Sequence, residues 1–130
     1  MNINDEKDYI MRIIKEMVNI LFSLILGKQY KSMEFPAEIK YEVSGKALEE
    51  FEKMIDHGLI NEAENILLES IDYSKKEEIL AAMLFYQYAG GKENDFLTAH
   101  NYSKEEALDG VKRLSEKTGY NEVTKIFTEL

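Results

Sequence analysis

Residues 9–26 read YIMRIIKEMVNILFSLIL, and this stretch decides the fold. At about 100° per residue, its polar side chains fall on one narrow stripe of a helix, and the rest of the circumference is apolar. The polar residues are Arg12, Lys15, Glu16, Asn19 and Ser23. A helix that is apolar over most of its surface must be covered by other segments or by a partner. We therefore expect the rest of the chain to pack around this N-terminal helix, which ends at Gly27.

The apolar helix could be mistaken for a membrane span or a signal peptide. A span needs roughly 20 predominantly apolar residues, and here charged side chains interrupt a shorter apolar stretch. Acidic residues precede the helix, whereas a signal peptide begins with a positively charged region. The chain contains no cysteine, which fits a reducing compartment. We therefore predict a cytoplasmic protein with no membrane span.

Length and charge limit the function classes. A chain of 130 residues corresponds to one domain, and its net charge is −9. Proteins that bind nucleic acid use clustered Lys and Arg to displace counterions from phosphates, so this charge argues against nucleic acid as a partner. We expect a single helical domain with three parts: the N-terminal helix at residues 1–27, a connector at 28–43 and a helical bundle at 44–130.

The segments after the connector show helical periodicity. The second helix is predicted at Gly45–His57, and a third helix starts at Asn61, with Asn61 and Glu64 spaced as a capping box. The short turn between them predicts an antiparallel hairpin. The hairpin resembles the turn and second helix of a tetratricopeptide repeat, although Phe51 stands where that repeat has glycine.

The second half of the chain contains another buried helix. Ser74 and Glu77 have capping-box spacing before the almost wholly apolar run Ile79–Ala89, which ends at a glycine pair. A short helical segment at residues 95–100 precedes a fifth helix that starts at Ser103 with Glu106, and a last helix is predicted from Asn121. No window alternates as a β-strand does. The predicted fold is all-α, with five or six helices.

Three segments resemble a known group of proteins. They are DYIMR at residues 8–12, INEAEN at 60–65 and DFLTAH at 95–100, the last followed by SKEE at 103–106. With these segments the chain resembles an uncharacterised family of short, all-helical bacterial proteins of unknown function. The resemblance implies one helical domain and carries no activity with it.

The sequence contains no recognisable catalytic or metal-binding motif. His100 has acidic residues nearby, at Asp95, Glu105 and Glu106, but no second histidine lies at ligand spacing, so local packing is the favoured interpretation. His57 fits the end of a helix, where a cation is favourable. The Glu-x-x-His spacing of di-iron bundles and a phosphate-binding glycine loop are both missing from the sequence. We therefore predict no catalytic residue, no cofactor and no metal.

Two functions remain open. The first is a non-enzymatic interaction module that acts through the N-terminal helix or through the acidic second and third helices, although a solvated charged face is the simpler reading of those acids. The second is a small-ligand-binding protein or enzyme with a pocket near Tyr86 and His100. The acidic residues of the second and third helices, which belong to the first of these functions, are Glu49, Glu50, Glu52, Asp56, Glu62, Glu64 and Glu69.

The N-terminal helix offers more apolar surface than one side of a small bundle can bury. An exposed patch of that size favours a two-fold dimer in which the helix contacts its copy. The residues predicted for this interface are Ile14, Met17, Val18, Leu21, Phe22 and Ile25. The competing interpretation is that the other helices bury the N-terminal helix completely within one chain.

Overall fold

The computed structural model describes residues 3–27, 35–120 and Lys125. The described chain forms six helices and one two-stranded hairpin, which confirms the all-α prediction. In order, the elements are α1 (Ile3–Leu26), β1 (Glu42–Val43), β2 (Lys46–Ala47), α2 (Leu48–Asp56), α3 (Ile60–Ser70), α4 (Lys76–Gly90), α5 (Asn94–Ala99) and α6 (Lys104–Lys117). Among the described helices, none is long and apolar enough to cross a membrane.

Helix α4 has the largest set of neighbours in the core. It packs against α1, α2, α6 and β1, whereas α1 packs mainly against α4 and α6. Most side chains from Ile79 to Ala89 are buried, and only Leu84, Gln87 and Tyr88 are partly exposed, which confirms the prediction for this run. Gly90 and Gly91 end the helix as expected. The N-terminal helix therefore shares the core with α4 and α6 and with buried side chains of α2, α3 and α5, and α4 lies among the others.

The side chains predicted to form a dimer interface lie in this core. Ile14, Met17, Val18, Leu21 and Phe22 have no exposed surface, and Ile25 is nearly as deeply buried. Within a single chain, α4 and α6 cover that side of α1, so these six side chains belong to the core. The exposed apolar residues of α1 are instead Tyr9, Ile20 and Leu24.

The hairpin β1–β2 was not predicted. Val43 pairs with Lys46 across a two-residue loop in which Ser44 and Gly45 both have positive φ, at 48° and 84°. Two consecutive positive φ values are typical of the tight turns that reverse a β-hairpin. The prediction that the second helix starts at Gly45 is therefore wrong, and α2 starts after the hairpin at Leu48.

Of the three predicted capping arrangements, one is confirmed. The Ser103 hydroxyl accepts a hydrogen bond from the Glu106 backbone N–H at 3.1 Å, which caps α6. The Ser74 hydroxyl instead donates to Asp72 at 2.6 Å, and α4 starts after Lys75 without a side-chain cap. Asn61 lies inside α3 and donates to a distant backbone carbonyl, so it is not a cap either.

Two predictions fall largely on residues outside the described part of the chain. The connector at 28–43 is described only from Phe35 onward. Of the last helix, predicted from Asn121, only Lys125 is described, and it is helical.

Candidate functional site

The first predicted site residue, Tyr86, lies in the core between α4 and α6. Its ring packs directly against Gly110 of α6, where an added Cβ would lie 2.2 Å from Cε1 of the ring. Its hydroxyl donates a hydrogen bond to Oε2 of Glu64 at 2.8 Å, and Nη2 of Arg113 lies 3.4 Å from the same oxygen. Glu64 therefore joins α3 to α4 and α6 instead of capping its own helix.

Burial and hydrogen bonding shift the pKa values of both acidic groups in this cluster. Burial raises the pKa of Glu64, and the hydrogen bond from Tyr86 and the charge of Arg113 partly oppose that increase. Burial and the Glu64 carboxylate raise the pKa of Tyr86 far above its usual range. A phenol that keeps its proton at neutral pH acts here as a hydrogen-bond donor. The geometry is that of a structural contact between helices.

The second predicted site residue, His100, follows α5. Its Nδ1 lies 2.8 Å from the carbonyl oxygen of Phe96, and the two rings pack at a centroid distance of 4.5 Å. Its ring fills the space over Gly58, where an added Cβ would lie 2.2 Å away. These contacts confirm local packing. Among the described contacts, His100 and Tyr86 share no hydrogen-bond or ring partner.

The acidic residues of α2 and α3 are spread over the surface. Glu49, Glu50, Asp56, Glu62 and Glu69 are exposed. The described residues include no group of three or more acidic or histidine side chains that could hold a metal ion. The described part of α2 and α3 therefore carries its negative charge as separate surface carboxylates.

The exposed apolar residues of α1 form a row that we call the α1 stripe. It consists of Tyr9, Ile20 and Leu24, which are 43%, 40% and 44% exposed, together with the half-buried Ile13. At 100° per residue these four positions lie within about 60° of one another around the helix. The sequence pattern did not distinguish this row, because the neighbouring core positions are equally apolar.

A cleft between α1, α2 and α4 was also missed by the sequence analysis. Its volume is about 450 Å³, and it combines an apolar floor with polar side chains. Its wall residues come from four separate segments, so no sequence spacing could indicate it. The lining residues are Met11, Lys15, Phe35, Leu48, Glu52, Leu84, Gln87, Tyr88, Gly91 and Lys92.

Two polar side chains of this cleft are partly buried. Oε1 of Gln87 is buried and has no hydrogen-bond partner among the described residues. Glu52 is half-buried, and burial together with the charges of Glu49 and Asp56 raises its pKa. The nearby cation Lys92 is already engaged, because its Nζ lies 2.5 Å from Oδ1 of Asp56.

Comparison with known proteins identifies a family without an assigned activity. A family model described as "Family of unknown function (DUF6483)" matches residues 4–119 of the chain. This match confirms the resemblance to an uncharacterised helical family. Neither a curated protein nor a solved structure matches the chain.

Proposed function

The chain belongs to this family of unknown function, and from that premise we propose that it is a non-enzymatic helical interaction module whose α1 stripe binds a second copy of the chain. The observation that carries the proposal is the exposure of three large apolar side chains, at Tyr9, Ile20 and Leu24, along one side of a single helix. Neighbouring exposed apolar side chains on a helix mark interaction surfaces, whereas single scattered ones do not.

The spacing of the stripe supports a second copy as the partner. Positions 9, 13, 20 and 24 are separated by four, seven and four residues, and this order reads the same in both directions. In an antiparallel pair of α1 helices, Tyr9 therefore lies opposite Leu24 of the other copy. Ile13 lies opposite Ile20 in the same way. A two-fold axis passes between Glu16 and Met17, and each apolar residue meets an apolar residue.

The size and charge of the surface predict weak association. Four side chains supply a few hundred Å² on each copy, below the roughly 800 Å² of a standard interface. Glu16 is exposed and lies beside the two-fold axis, so the two Glu16 carboxylates repel each other. The net charge of −9 on each chain adds to this repulsion. We therefore expect a dimer that forms at about micromolar concentration or above and that is strengthened by salt.

Analytical ultracentrifugation at low and high salt tests the proposal. The wild-type chain should shift with concentration from 15.1 kDa toward twice that mass, and more strongly at high salt. Ile20→Glu should remain at the monomer mass and keep the wild-type circular dichroism spectrum. Leu68→Glu is the matched control, because Leu68 is exposed on α3 and should not change the association. A wild-type chain that stays at the monomer mass under all conditions contradicts the proposal.

Engineered cysteines test the antiparallel arrangement. The natural chain contains no cysteine, so any disulfide that forms must involve the introduced residues. An Ile13→Cys chain mixed with an Ile20→Cys chain should form a disulfide between the two chains. Ile20→Cys alone should not, because the two copies of residue 20 lie about 10 Å apart along the helix axis, at 1.5 Å per residue. Rapid disulfide formation by Ile20→Cys alone would indicate parallel helices and refute the arrangement.

The exposed carboxylates of α2 and α3 support a second interaction surface, for a basic protein. Salt separates the two surfaces, because it should weaken a charge-driven complex and strengthen self-association of this acidic chain. The absence of cysteine supports the cytoplasm as the location of either activity.

A further inference from the structure

We propose that a second cleft, between α1, α4 and the end of α6, binds a small organic anion that carries an apolar group, with the anionic group held by Lys76 and Lys117. We call it the Tyr73 cleft, after one of the residues that line it. Its volume of about 410 Å³ lies within the range of small-molecule sites. The cleft shares Leu24 with the α1 stripe, but binding of a small ligand does not require a second copy of the chain.

The charged side chains that line the Tyr73 cleft within the described part of the chain are two lysines and no carboxylate. Lys76 belongs to the first turn of α4 and Lys117 to the last turn of α6, so the packing of these helices brings the two cations to one cleft. Neither lysine forms an ion pair with another described residue. In a chain with a net charge of −9, two unpaired cations at one cleft make this part of the surface suited to an anion.

The acidic residues nearest in sequence to the two lysines lie outside the lining of the cleft. Glu77 and Glu116 are their immediate neighbours, and both are exposed. The Asp72 carboxylate accepts hydrogen bonds from the backbone N–H and the hydroxyl of Ser74, at 2.9 Å and 2.6 Å. The Glu78 carboxylate accepts from two backbone N–H groups. The described carboxylates therefore leave both ammonium groups available to a ligand.

The ammonium group of Lys117 is placed by an aromatic ring. Its Nζ lies over the ring of Tyr73, 5.5 Å from the ring centroid. This cation–π contact holds the charge beside a residue that lines the cleft. The side chain of Lys76 is exposed and long, so its ammonium group can reach an anion bound beside Lys117. A carboxylate has two oxygens and can accept hydrogen bonds from both ammonium groups.

The hydroxyl groups at the cleft are already used as donors. The Ser74 hydroxyl donates to Asp72, and the Thr118 hydroxyl donates to the carbonyl oxygen of Ser115 at 2.9 Å. Recognition of the anionic group therefore depends mainly on the lysines, and the charge of the ligand should decide its affinity.

The rest of the lining suits an apolar group. Leu24 and Ile79 provide aliphatic surface, and Tyr73 and Tyr120 provide aromatic rings. Leu24 is 44% exposed and Tyr73 is 36% exposed, so a ligand that covers them removes apolar surface from water. An aromatic ring in the ligand can contact both kinds of surface.

Titration with phenylpropionate, followed by the backbone amide NMR signals of the chain, tests the site. Phenylpropionamide and phenylpropylammonium are the comparison ligands, because they keep the ring and replace the carboxylate with a neutral or a positive group. We expect phenylpropionate to bind with a dissociation constant of about 1 mM, since so small a ligand has few contact atoms. Phenylpropionamide should bind about threefold more weakly, because contacts with exposed lysines contribute modestly, and phenylpropylammonium more weakly still.

The amide signals that shift most should belong to residues of the Tyr73 cleft, such as Ser74 and Thr118. The same titration with Ile20→Glu separates ligand binding from self-association. Phenylpropionate should bind this variant as it binds the wild type, because residue 20 does not line the cleft.

Lysine variants separate the charged contact from simple apolar binding. Lys76→Gln and Lys117→Gln should each weaken phenylpropionate binding about threefold, and the double variant about tenfold, while phenylpropionamide binding stays unchanged. Lys75→Gln is the matched control, because Lys75 is exposed beside Lys76 and does not line the cleft. Added salt should weaken the binding of phenylpropionate more than that of phenylpropionamide.

Three results would overturn the proposal. The first is an absence of phenylpropionate binding to the wild type and to Ile20→Glu at about 10 mM ligand. The second is equal affinity for phenylpropionate and phenylpropionamide. The third is unchanged phenylpropionate binding by a folded double variant of Lys76 and Lys117.

Discussion

Replacing Gly110 with alanine tests the contact between α4 and α6. Gly110 is a buried residue in the middle of α6, where alanine would normally stabilise the helix by about 1 kcal/mol. Here the added Cβ would lie 2.2 Å from Cε1 and 2.3 Å from Cζ of Tyr86. Non-bonded carbon atoms rest at about 3.5–4.0 Å, so the ring or the helix would have to move by more than about 1 Å.

The surroundings of Tyr86 set the size of the effect. Its side chain has no exposed surface, its hydroxyl is bonded to Glu64, and its ring packs edge-on against Phe85 at 5.2 Å. A ring held on these sides cannot move without cost, so we expect the upper part of the usual overpacking range, about 3 kcal/mol. After the gain in helix propensity, Gly110→Ala should lower the free energy of unfolding by about 2 kcal/mol. For a chain of this length, that corresponds to a decrease in Tm of about 8 °C.

Urea denaturation followed by circular dichroism measures this difference. The matched control is Gly91→Ala, because Gly91 is exposed with an ordinary φ of −78°. Combining Gly110→Ala with Tyr86→Leu should recover at least about 1 kcal/mol relative to the sum of the single changes, because the smaller side chain leaves room for the methyl group. If Gly110→Ala is as stable as the wild type, or if the double variant is simply additive, α4 and α6 do not meet as described.

Three further changes test other contacts. Glu64→Ala should lower the free energy of unfolding by about 1–3 kcal/mol, because it leaves the Tyr86 hydroxyl buried without an acceptor. In the same urea assay, Glu62→Ala is the control at an exposed position and should change the free energy of unfolding by less than about 0.5 kcal/mol. Lys104→Met should lower the free energy of unfolding by about 1–2 kcal/mol, because the buried Nζ of Lys104 donates hydrogen bonds to two backbone carbonyl oxygens at the end of α4. A Tm at or above the wild-type value would refute that role. The hydrogen bond from Lys92 lowers the pKa of Asp56 in the folded chain. The ionised Asp56 carboxylate therefore stabilises the fold above the unfolded-state pKa of about 3.9. This stabilisation is lost as the pH falls through the lower folded-state pKa. Thermal melts at a series of acidic pH values should therefore show a smaller loss of Tm for Asp56→Asn than for the wild type.

The parts of the fold that were predicted correctly depend on local sequence. The run from Ile79 to Ala89 is apolar on every side, so it had to be buried whatever its neighbours were. The hydroxyl of Ser103 caps α6 because the residues it needs lie within one turn. Glycines at helix ends were also correctly read, since Gly27 and Gly58 have the positive φ that ends a helix.

The incorrect predictions concern side chains whose partners are distant in sequence. Glu64 has the spacing of a capping residue, but the hydroxyl of Tyr86 competes for its carboxylate from a separate helix. The hairpin at Ser44 was missed for a related reason: the backbone N–H and the hydroxyl of Ser44 bond to Glu78 and to the Ser70 carbonyl oxygen. Such tertiary contacts outweigh weak local preferences.

The sequence by itself determined that the chain is helical, approximately where its helices lie, and that it carries no recognisable catalytic motif, because periodicity and helix-end signals act within a few residues. Only the tertiary structure decided how much of the apolar side of α1 is covered. The polar stripe of the helix marks its outward side, but the apolar side is so wide that the sequence pattern does not show where the covered surface ends. Packing against α4 and α6 buries Leu21 and leaves Ile20 and Leu24 exposed. The α1 stripe is the part of the apolar side that this packing leaves exposed, and the cleft is formed by residues of α1, α2 and α4 that meet only after the helices pack.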